Sequence, residues 1–323
     1  MTALEVTEKE KGKYAAFFQS LRNIRHEGWG SVEGYLFILP LVAMWLLFSG
    51  YPYIRGILIA FQDYRMFKPE TWPVLSSWSG LTNFVKMFQD KAVIQGIKAS
   101  FNMWAWTVPF TFALALFSAV LLNRVKNPKL ASLYRVLITL AWVIPEAAAM
   151  PMWTYMLDAN VGYLNYFLRD VLKIWANPPA WTSDFFWYWI AIAMASIWKG
   201  FGWNMLLFLL GLYNIPSELY DAAKIDGANG VQTLLHVELP GIRNIMLLYL
   251  VTNVGWVGGG LVNVWTFGTG PQNIGRTLSL YAWQVSFQGT ARMGYGAAMN
   301  FFAGVCNLIL AALVVRLFPT EKA

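Results

Sequence analysis

The sequence predicts an all-α polytopic membrane protein with six transmembrane helices. Of its 323 residues, 57% are hydrophobic and 13% are charged, whereas charged residues make up about 25% of a typical soluble domain. Apolar runs of about twenty residues recur along the chain, and a helix of about that length crosses the hydrocarbon core of a bilayer. The net charge is +7, but the basic residues lie mainly in the tail and loops, which fits membrane orientation better than nucleic-acid binding.

The apolar runs place the spans. We expect six of them, at residues 35–59, 99–122, 136–157, 185–212, 242–265 and 295–317. The tail at residues 1–33 is polar and lacks the apolar core of a signal peptide, so the first span is expected to act as the insertion signal. The tail is either disordered or a short amphipathic helix on the membrane surface. Residues 81–88 predict a short interfacial helix before the second span.

Basic residues orient the chain. The connector between spans 2 and 3 holds Arg124, Lys126, Lys129 and Arg135 and no acidic residue. Short loops rich in Lys and Arg stay on the cytoplasmic side, so this connector is expected to be cytoplasmic. Alternation of six spans then places both termini, and the polar segment between spans 4 and 5, on the same side.

That polar segment, residues 217–240, is the strongest departure from the apolar pattern. Its first half predicts a helix that the hydroxyl of Ser217 caps. Gly227 allows a backbone turn that other residues rarely adopt. A second helix is expected over 231–238, with Pro240 ending it. A polar helix pair between membrane spans indicates contact with a soluble partner.

The same segment resembles the EAA motif of permease subunits in binding-protein-dependent ABC importers. The matching residues are Asp221-Ala222-Ala223, then Gly227, then Val237-x-Leu239-Pro240, although the family usually has Glu at the first position and Ile in place of Val237. The resemblance implies the type I ABC importer permease fold over residues 34–323, with a cytoplasmic coupling helix in the loop 214–240. It assigns contact with an ATPase to Glu218, Asp221, Ala222, Ala223, Gly227, Leu239 and Pro240.

Cofactors and partners are expected from outside this chain. The sequence has no G-x-x-x-x-G-K-[ST] loop and no enzyme constellation, and its single cysteine is Cys306. We therefore expect no catalytic residues, metal site or cofactor here, with ATP and Mg²⁺ held by partner ATPase subunits. The resemblance implies a heterodimer with a second permease, two ATPase subunits, a periplasmic solute-binding protein and a carbohydrate substrate. It implies the bacterial inner membrane and its lipid as surroundings, and no nucleic acid.

Charges inside spans are candidate functional groups, because an unpaired charge in hydrocarbon costs several kcal/mol. Glu146 in span 3, Lys199 in span 4 and Arg55 in span 1 qualify. Lys199 and Glu146 either pair with each other or with a partner subunit, or Lys199 lines the translocation path. Resemblance to the maltose permease assigns the translocation path to Ser196, Lys199, Gly200, Trp203, Thr252, Asn253 and Trp256. The alternative is that these residues serve ordinary helix packing.

The charge of Lys199 also indicates the class of substrate. Lys199 in the path would attract an anion such as an acidic oligosaccharide, and the sequence looks especially like the permease subunits of alginate importers. Three alternatives remain: an ABC permease for neutral sugar or glycerol phosphate, an ATP-independent secondary transporter, and a membrane scaffold without a path. A secondary transporter requires an ion-coupling site and usually an internal repeat.

Overall fold

The structure is a computed structural model that describes residues 32–255, 257 and 259–318. These residues are helices and connecting turns, with one isolated bridge between Gln62 and Trp78. The chain divides into two compact units, Met1–Leu58 and Ile59–Ala323. Residues 1–31 of the expected tail lie outside the described residues, and helix is present from Val32 onward.

The helices form the spans and shorter segments between them. In chain order they are α1 (Val32–Trp45), α2 (Tyr51–Ala60), α3 (Val74–Ser77), α4 (Thr82–Gln89), α5 (Lys91–Asn123), α6 (Pro128–Val143), α7 (Glu146–Met156), α8 (Tyr163–Tyr166), α9 (Phe185–Tyr213), α10 (Ser217–Ile225), α11 (Gly230–Thr233), α12 (Leu239–Gly241), α13 (Arg243–Asn253), α14 (Leu261–Phe267), α15 (Leu278–Phe287) and α16 (Met293–Leu317). Single π-helical turns join α1 to α2 and α11 to α12. A helix at the expected 81–88 is confirmed as α4.

Four uninterrupted helical segments are long and apolar enough to cross a membrane: Gly34–Ala60, Lys91–Asn123, Phe185–Tyr213 and Met293–Leu317. Two further pairs of helices satisfy the same criteria together but are bent, α6 with α7 by 93°, and the segment Gly230–Gly241 with α13 by 67°. By length and composition the described residues thus hold four spans, or up to six if each bent pair is one span, although the first part of the second pair belongs to the polar segment 217–240.

The third span, expected over 136–157, is present but is broken at a proline. Ile144 has an extended backbone (φ −66°, ψ 128°) and α7 restarts after Pro145. Proline lacks an N–H and disfavours helical geometry in the residue before it, which accounts for the break. The helix also begins earlier, at Pro128, which places Lys129 and Arg135 on α6 and shortens the connector.

The fifth span also differs from the helix expected over 242–265. Helix α13 ends at Asn253, and the described residues between it and α14 are non-helical, with Gly260 at φ +79°. The segment 266–294, expected to be a glycine-rich loop, contains α15. Its side chains Leu278, Leu280 and Ala282 are buried.

The core centres on α5 and α9. Small residues of α5, Ala115 and Ala119, are fully buried with Met205 and Phe208 of α9 in one apolar cluster. Small side chains allow helices to approach closely where lipid supplies no hydrophobic driving force. Tyr249 of α13 joins the cluster, and its hydroxyl donates to the carbonyl of Val108 at 2.9 Å. This packing holds three helices together next to the polar segment.

Candidate coupling loop and translocation path

The first helix of the polar segment, α10, begins differently from the sequence prediction. Pro216 is the extended residue before the helix, and Ser217 is its first helical residue. The hydroxyl of Ser217 makes no capping hydrogen bond, so the predicted cap is wrong. A capping residue must stand just outside the helix, and that position belongs to proline here.

The end of α10 confirms the predicted role of Gly227. Its φ is +75°, a left-handed conformation that glycine adopts without steric cost. The N–H of Gly227 donates to the carbonyl of Lys224 at 3.1 Å, and the N–H of Ala228 donates to that of Ala223 at 2.9 Å. This pair of bonds is a Schellman motif, which satisfies carbonyls left free at a helix end.

The second helix is longer than predicted. Asn229 caps α11 through a reciprocal capping box with Gln232, so the helix starts at Gly230. It continues through the π-helical turn Leu234–Glu238 into α12. Pro240 therefore lies inside a helical segment rather than ending it, at the second position of α12, where its missing N–H is tolerated.

The end of helix α5 holds both helices of this loop, through Asn123 and Arg124, for which the sequence predicted no contact with the loop. The amide of Asn123 lies 3.4 Å from the hydroxyl of Tyr220 on α10. The guanidinium of Arg124 donates to the carbonyl of Gly230 at 3.1 Å and to the carboxylate of Glu238 at 3.5 Å. Glu238 is 1% exposed. A buried acid needs a partner, and the acid-free connector was the signal that could have identified Arg124.

The outer surface of the coupling loop is uncovered. Leu219 is 50% exposed and Ile225 is 86% exposed, although both are large and apolar. The predicted coupling residues Glu218, Asp221, Ala222, Gly227 and Pro240 are also exposed, while Ala223 and Leu239 are half-buried. Asp221 forms an ion pair of 2.8 Å with Lys224 on the same helix. The loop thus presents a mixed acidic and apolar surface.

Two predicted path residues of α9, Lys199 and Trp203, contact Trp142 of α6. The ammonium of Lys199 donates to the carbonyl of Trp142 at 2.6 Å. The rings of Trp142 and Trp203 are stacked, with centroids 4.5 Å apart. Among the described ion pairs, none joins Lys199 to Glu146, so the alternative that these two residues pair with each other is not found.

The other predicted path residues lie in separate contacts. Ser196 is buried, and its hydroxyl accepts from Asn263 of α14 at 3.2 Å. The carbonyl of Gly200 accepts from Asn204 on the same helix at 2.9 Å.

Thr252 and Asn253 stand together at the end of α13. Both donate to the carbonyl of Tyr249 on their own helix, at 3.0 and 2.9 Å. The carbonyl of Asn253 accepts from the indole of Trp104 on α5 at 2.7 Å. No hydrogen bond or ring contact among the described residues joins this pair to Lys199 or Trp203. Trp256 lies outside the described residues.

Comparison with known proteins identifies the family. The family model for the "binding-protein-dependent transport system inner membrane component" matches residues 109–322. The chain belongs to this family. As a member of it, the chain is a non-catalytic, membrane-spanning subunit of an ABC importer in the inner membrane. The predicted six-span permease fold is confirmed.

Individual relatives cover almost the whole permease. The probable ABC transporter permease protein YesP of Bacillus subtilis is 32% identical over 322 residues, covering 96% of each chain. The lactose transport system permease protein LacF of Rhizobium radiobacter is 28% identical, covering 87% of this chain and 92% of LacF. A crystal structure of a bacterial ABC transporter involved in import of the acidic polysaccharide alginate shares the fold. Its matching chain has a TM-score of 0.76 and 22% identity, over 90% of this permease and 96% of that chain.

Proposed function

We propose that this permease is one of two transmembrane subunits in an ATP-driven importer of carbohydrate, paired as a heterodimer with a second permease. Two ATPase subunits, which hold ATP and Mg²⁺, would bind its coupling loop, and a periplasmic solute-binding protein would deliver the sugar. The observation that carries the proposal is the exposed helix pair 217–240. It leaves Leu219 and Ile225 uncovered, and it is anchored to the end of α5 through Tyr220 and Gly230.

The coupling mechanism follows from that anchoring. ATP binds more tightly to the closed ATPase pair, and this differential affinity drives the shift between conformations. As the ATPases close, they move α10 through contacts at Glu218, Asp221 and Ala222. The bonds of Asn123 and Arg124 to the loop pass this motion to α5, which packs against α9. The spans then tilt and open the path outward.

The orientation rests on charge. Arg124 and Lys126 lie at the end of α5 next to the coupling loop, and short basic connectors remain cytoplasmic. With six spans, both termini are then cytoplasmic, and the segments 61–90, 157–184 and 268–292 face the periplasm.

The proposed substrate is an acidic oligosaccharide such as alginate. Lys199 uses one of its three N–H groups on Trp142, which leaves two for an anion in the path. Trp203 beside it offers an aromatic ring on which a sugar face can stack. The remaining proposed path residues are Ser196, Gly200, Thr252, Asn253 and Trp256. The name of LacF supports a neutral sugar instead, and glycerol phosphate import and an ATP-independent transporter are further alternatives.

A crosslinking experiment tests the assembly. Ile225→Cys, in a Cys306→Ser background, should crosslink to a co-expressed ATPase, whereas Leu75→Cys should not. Both positions are highly exposed, at 86% and 96%, but they lie on opposite proposed faces. A membrane-impermeant maleimide should label the cysteine at 75 and not the one at 225 in intact spheroplasts. Labelling at 225, or the absence of any ATPase crosslink, would contradict the proposal.

Transport assays then identify the energy source and substrate. Proteoliposomes containing the full importer should take up an acidic oligosaccharide only with ATP and the loaded binding protein. Uptake without ATP would establish the secondary transporter. Preference for lactose over trigalacturonate would establish the neutral-sugar alternative.

A further inference from the structure

A cavity of about 630 Å³ opens between the outer ends of α4, α5, α15 and α16. This volume is within the range of sites that bind small molecules, roughly 300–1,000 Å³. The cavity lies on the proposed periplasmic side and is separate from the path residues around Trp142. Its walls carry three cationic side chains, Lys86, Arg276 and Arg292, and one acidic side chain, Asp90.

The carboxylate of Asp90 is already committed to neighbouring groups. One oxygen accepts the N–H of Ala92 at 2.8 Å. The other accepts the hydroxyls of Tyr281 and Tyr295, at 2.8 and 2.9 Å. Asp90 therefore positions the two tyrosines, and it offers little remaining capacity to bind the cations across the cavity.

The two tyrosines in turn hold the two arginines. The guanidinium of Arg276 lies 4.8 Å from the ring centroid of Tyr281, and that of Arg292 lies 5.1 Å from the ring centroid of Tyr295. Stacking on aromatic rings fixes a guanidinium plane while leaving its edge free for a planar anion.

Arg292 has an unused donor. Its Nε is buried and has no hydrogen-bond partner among the described residues. Its backbone is held by a bond from its N–H to the carbonyl of Val285 at 2.8 Å, after Ala291 at a left-handed φ of +45°. None of the described ion pairs includes Arg292, Arg276 or Lys86. A buried guanidinium donor without a partner is costly. Arg292 is half-buried and lines the cavity, so its positive charge is available to an anion there.

The remaining lining groups define the kind of anion. Gln284, Gln288 and Thr290 also line the cavity and supply amide and hydroxyl groups. These groups donate to and accept from hydroxyls. A ligand with one carboxylate and several hydroxyls matches the combination, whereas an acidic protein side chain would engage only the cations.

We propose that this cavity binds one uronate residue of an acidic oligosaccharide at the outer face, with its carboxylate between Arg276 and Arg292. The inference rests on the proposed carbohydrate import and adds a periplasmic subsite to it. Lys86, which is exposed at the rim, attracts the anion from a distance. The subsite receives the acidic end of the sugar before it enters the path.

The test measures binding of trigalacturonate to the complete importer in nanodiscs, without the binding protein. We expect saturable binding that weakens with added salt, because charges dominate the recognition. Galactotriose, its neutral counterpart, should bind at least about tenfold more weakly, since it lacks the charge-assisted hydrogen bonds. Arg292→Gln and Arg276→Gln should each weaken trigalacturonate binding to a similar degree. Lys173→Gln, an exposed cation of the segment 157–184 that does not line the cavity, should not.

Lys86→Gln keeps the test decisive if an arginine variant fails to fold, because Lys86 is exposed. It should weaken binding several-fold at low salt and have little effect at high salt. Equal binding of galactotriose and trigalacturonate would overturn the subsite. An unchanged affinity of folded Arg292→Gln for trigalacturonate would also overturn it. If binding required the solute-binding protein, the occupant of the cavity would be a carboxylate of that protein, and the subsite would again be overturned. If the wild-type importer took up no sugar in an ATP-dependent way, the proposed function itself would be refuted.

Discussion

The ammonium of Lys199 donates to the carbonyl of Trp142 at the point where the third span bends by 93°. In a straight helix that carbonyl would accept the N–H of residue 146. The break at Pro145 removes this bond, and Lys199 replaces it at a helix C-terminus, where a cation is also favoured by the helix dipole. One side chain thus stabilises the bend and brings a positive charge next to the Trp142–Trp203 stack.

Replacing Lys199 separates these two roles. Lys199→Met should lower uptake of trigalacturonate by about tenfold or more, because it removes the cation and a charge-assisted hydrogen bond. Uptake of a neutral trisaccharide should fall less. Lys199→Arg keeps a cation and serves as the control. An equal loss for both sugars in proteoliposome uptake would show that Lys199 serves only the bend.

Gly227 should tolerate only residues that accept its backbone conformation. Gly227→Pro fixes φ near −65° and removes the N–H that bonds Lys224, so it destroys the end of α10. We expect this variant to insert in the membrane but to hydrolyse ATP without uptake. Gly227→Asn should retain most uptake, because asparagine adopts the left-handed conformation more readily than other side chains. Normal uptake by the proline variant would remove the coupling role of this turn.

The sequence was sufficient for the long apolar helices, the coupling helix pair and the turn at Gly227, because each depends on local pattern. It could not identify which proline breaks a span. Pro40, Pro109 and Pro151 lie inside helices, whereas the chain turns before Pro145. The difference depends on whether neighbouring helices satisfy the freed groups, which is a tertiary property.

Two other features of the sites depended on contacts distant in sequence. Glu238 lies in a polar segment, where an acid is ordinarily exposed, but it is buried against Arg124, 114 residues away. The cavity lined by Asp90, Arg276 and Arg292 combines α4 with α15 and the start of α16, and α15 lies in a segment whose glycines predicted a loop. No local pattern brings such residues together.

The Arg124–Glu238 pair should stabilise the coupling loop. Arg124→Gln leaves the buried carboxylate without its charged partner, at a cost of about 1–3 kcal/mol. We expect a lower thermal unfolding midpoint of the detergent-solubilised importer and weaker coupling of ATP hydrolysis to uptake. Glu238→Gln in the same background should recover part of the stability, as a double-mutant cycle would show. Additive losses would mean that the two residues act independently.

The stability of the folded protein should depend on pH through the ionisation of Asp90. Burial acts to raise its pKa, but the hydrogen bonds from Tyr281 and Tyr295 and from the N–H of Ala92 outweigh burial and hold the pKa below its ordinary value of 3.8. Burial and the bond to Asp90 raise the pKa of Tyr281 to about 12, so its hydroxyl remains a donor.

A lowered folded-state pKa means that Asp90 contributes stability above the unfolded value, and that this contribution is lost as the pH falls through the folded value. Asp90→Asn should therefore lower the unfolding midpoint at pH 7 and flatten its fall below about pH 4. Tyr281→Phe should have an intermediate effect. A slope unchanged from that of the wild type in Asp90→Asn would contradict this assignment.

Close approach of α6 and α9 requires glycine at position 202. A Cβ there would collide with the carbonyl oxygen of Ile138 on α6, which is backbone and cannot rotate away. Gly202→Ala should therefore separate the two helices and destabilise the permease by about 1–3 kcal/mol, and the displacement would also disturb the bond from Lys199 to α6. Gly304→Ala on α16 is the matched control, because nothing lies within 4 Å of its added Cβ, and alanine is the better helix former by about 0.5–1 kcal/mol. In detergent, the thermal unfolding midpoint of the control should equal or exceed that of the wild type, and that of Gly202→Ala should lie well below it. A Gly202→Ala variant as stable as the wild type would show that α6 can shift without cost, and the bend at Pro145 would then be mobile rather than fixed.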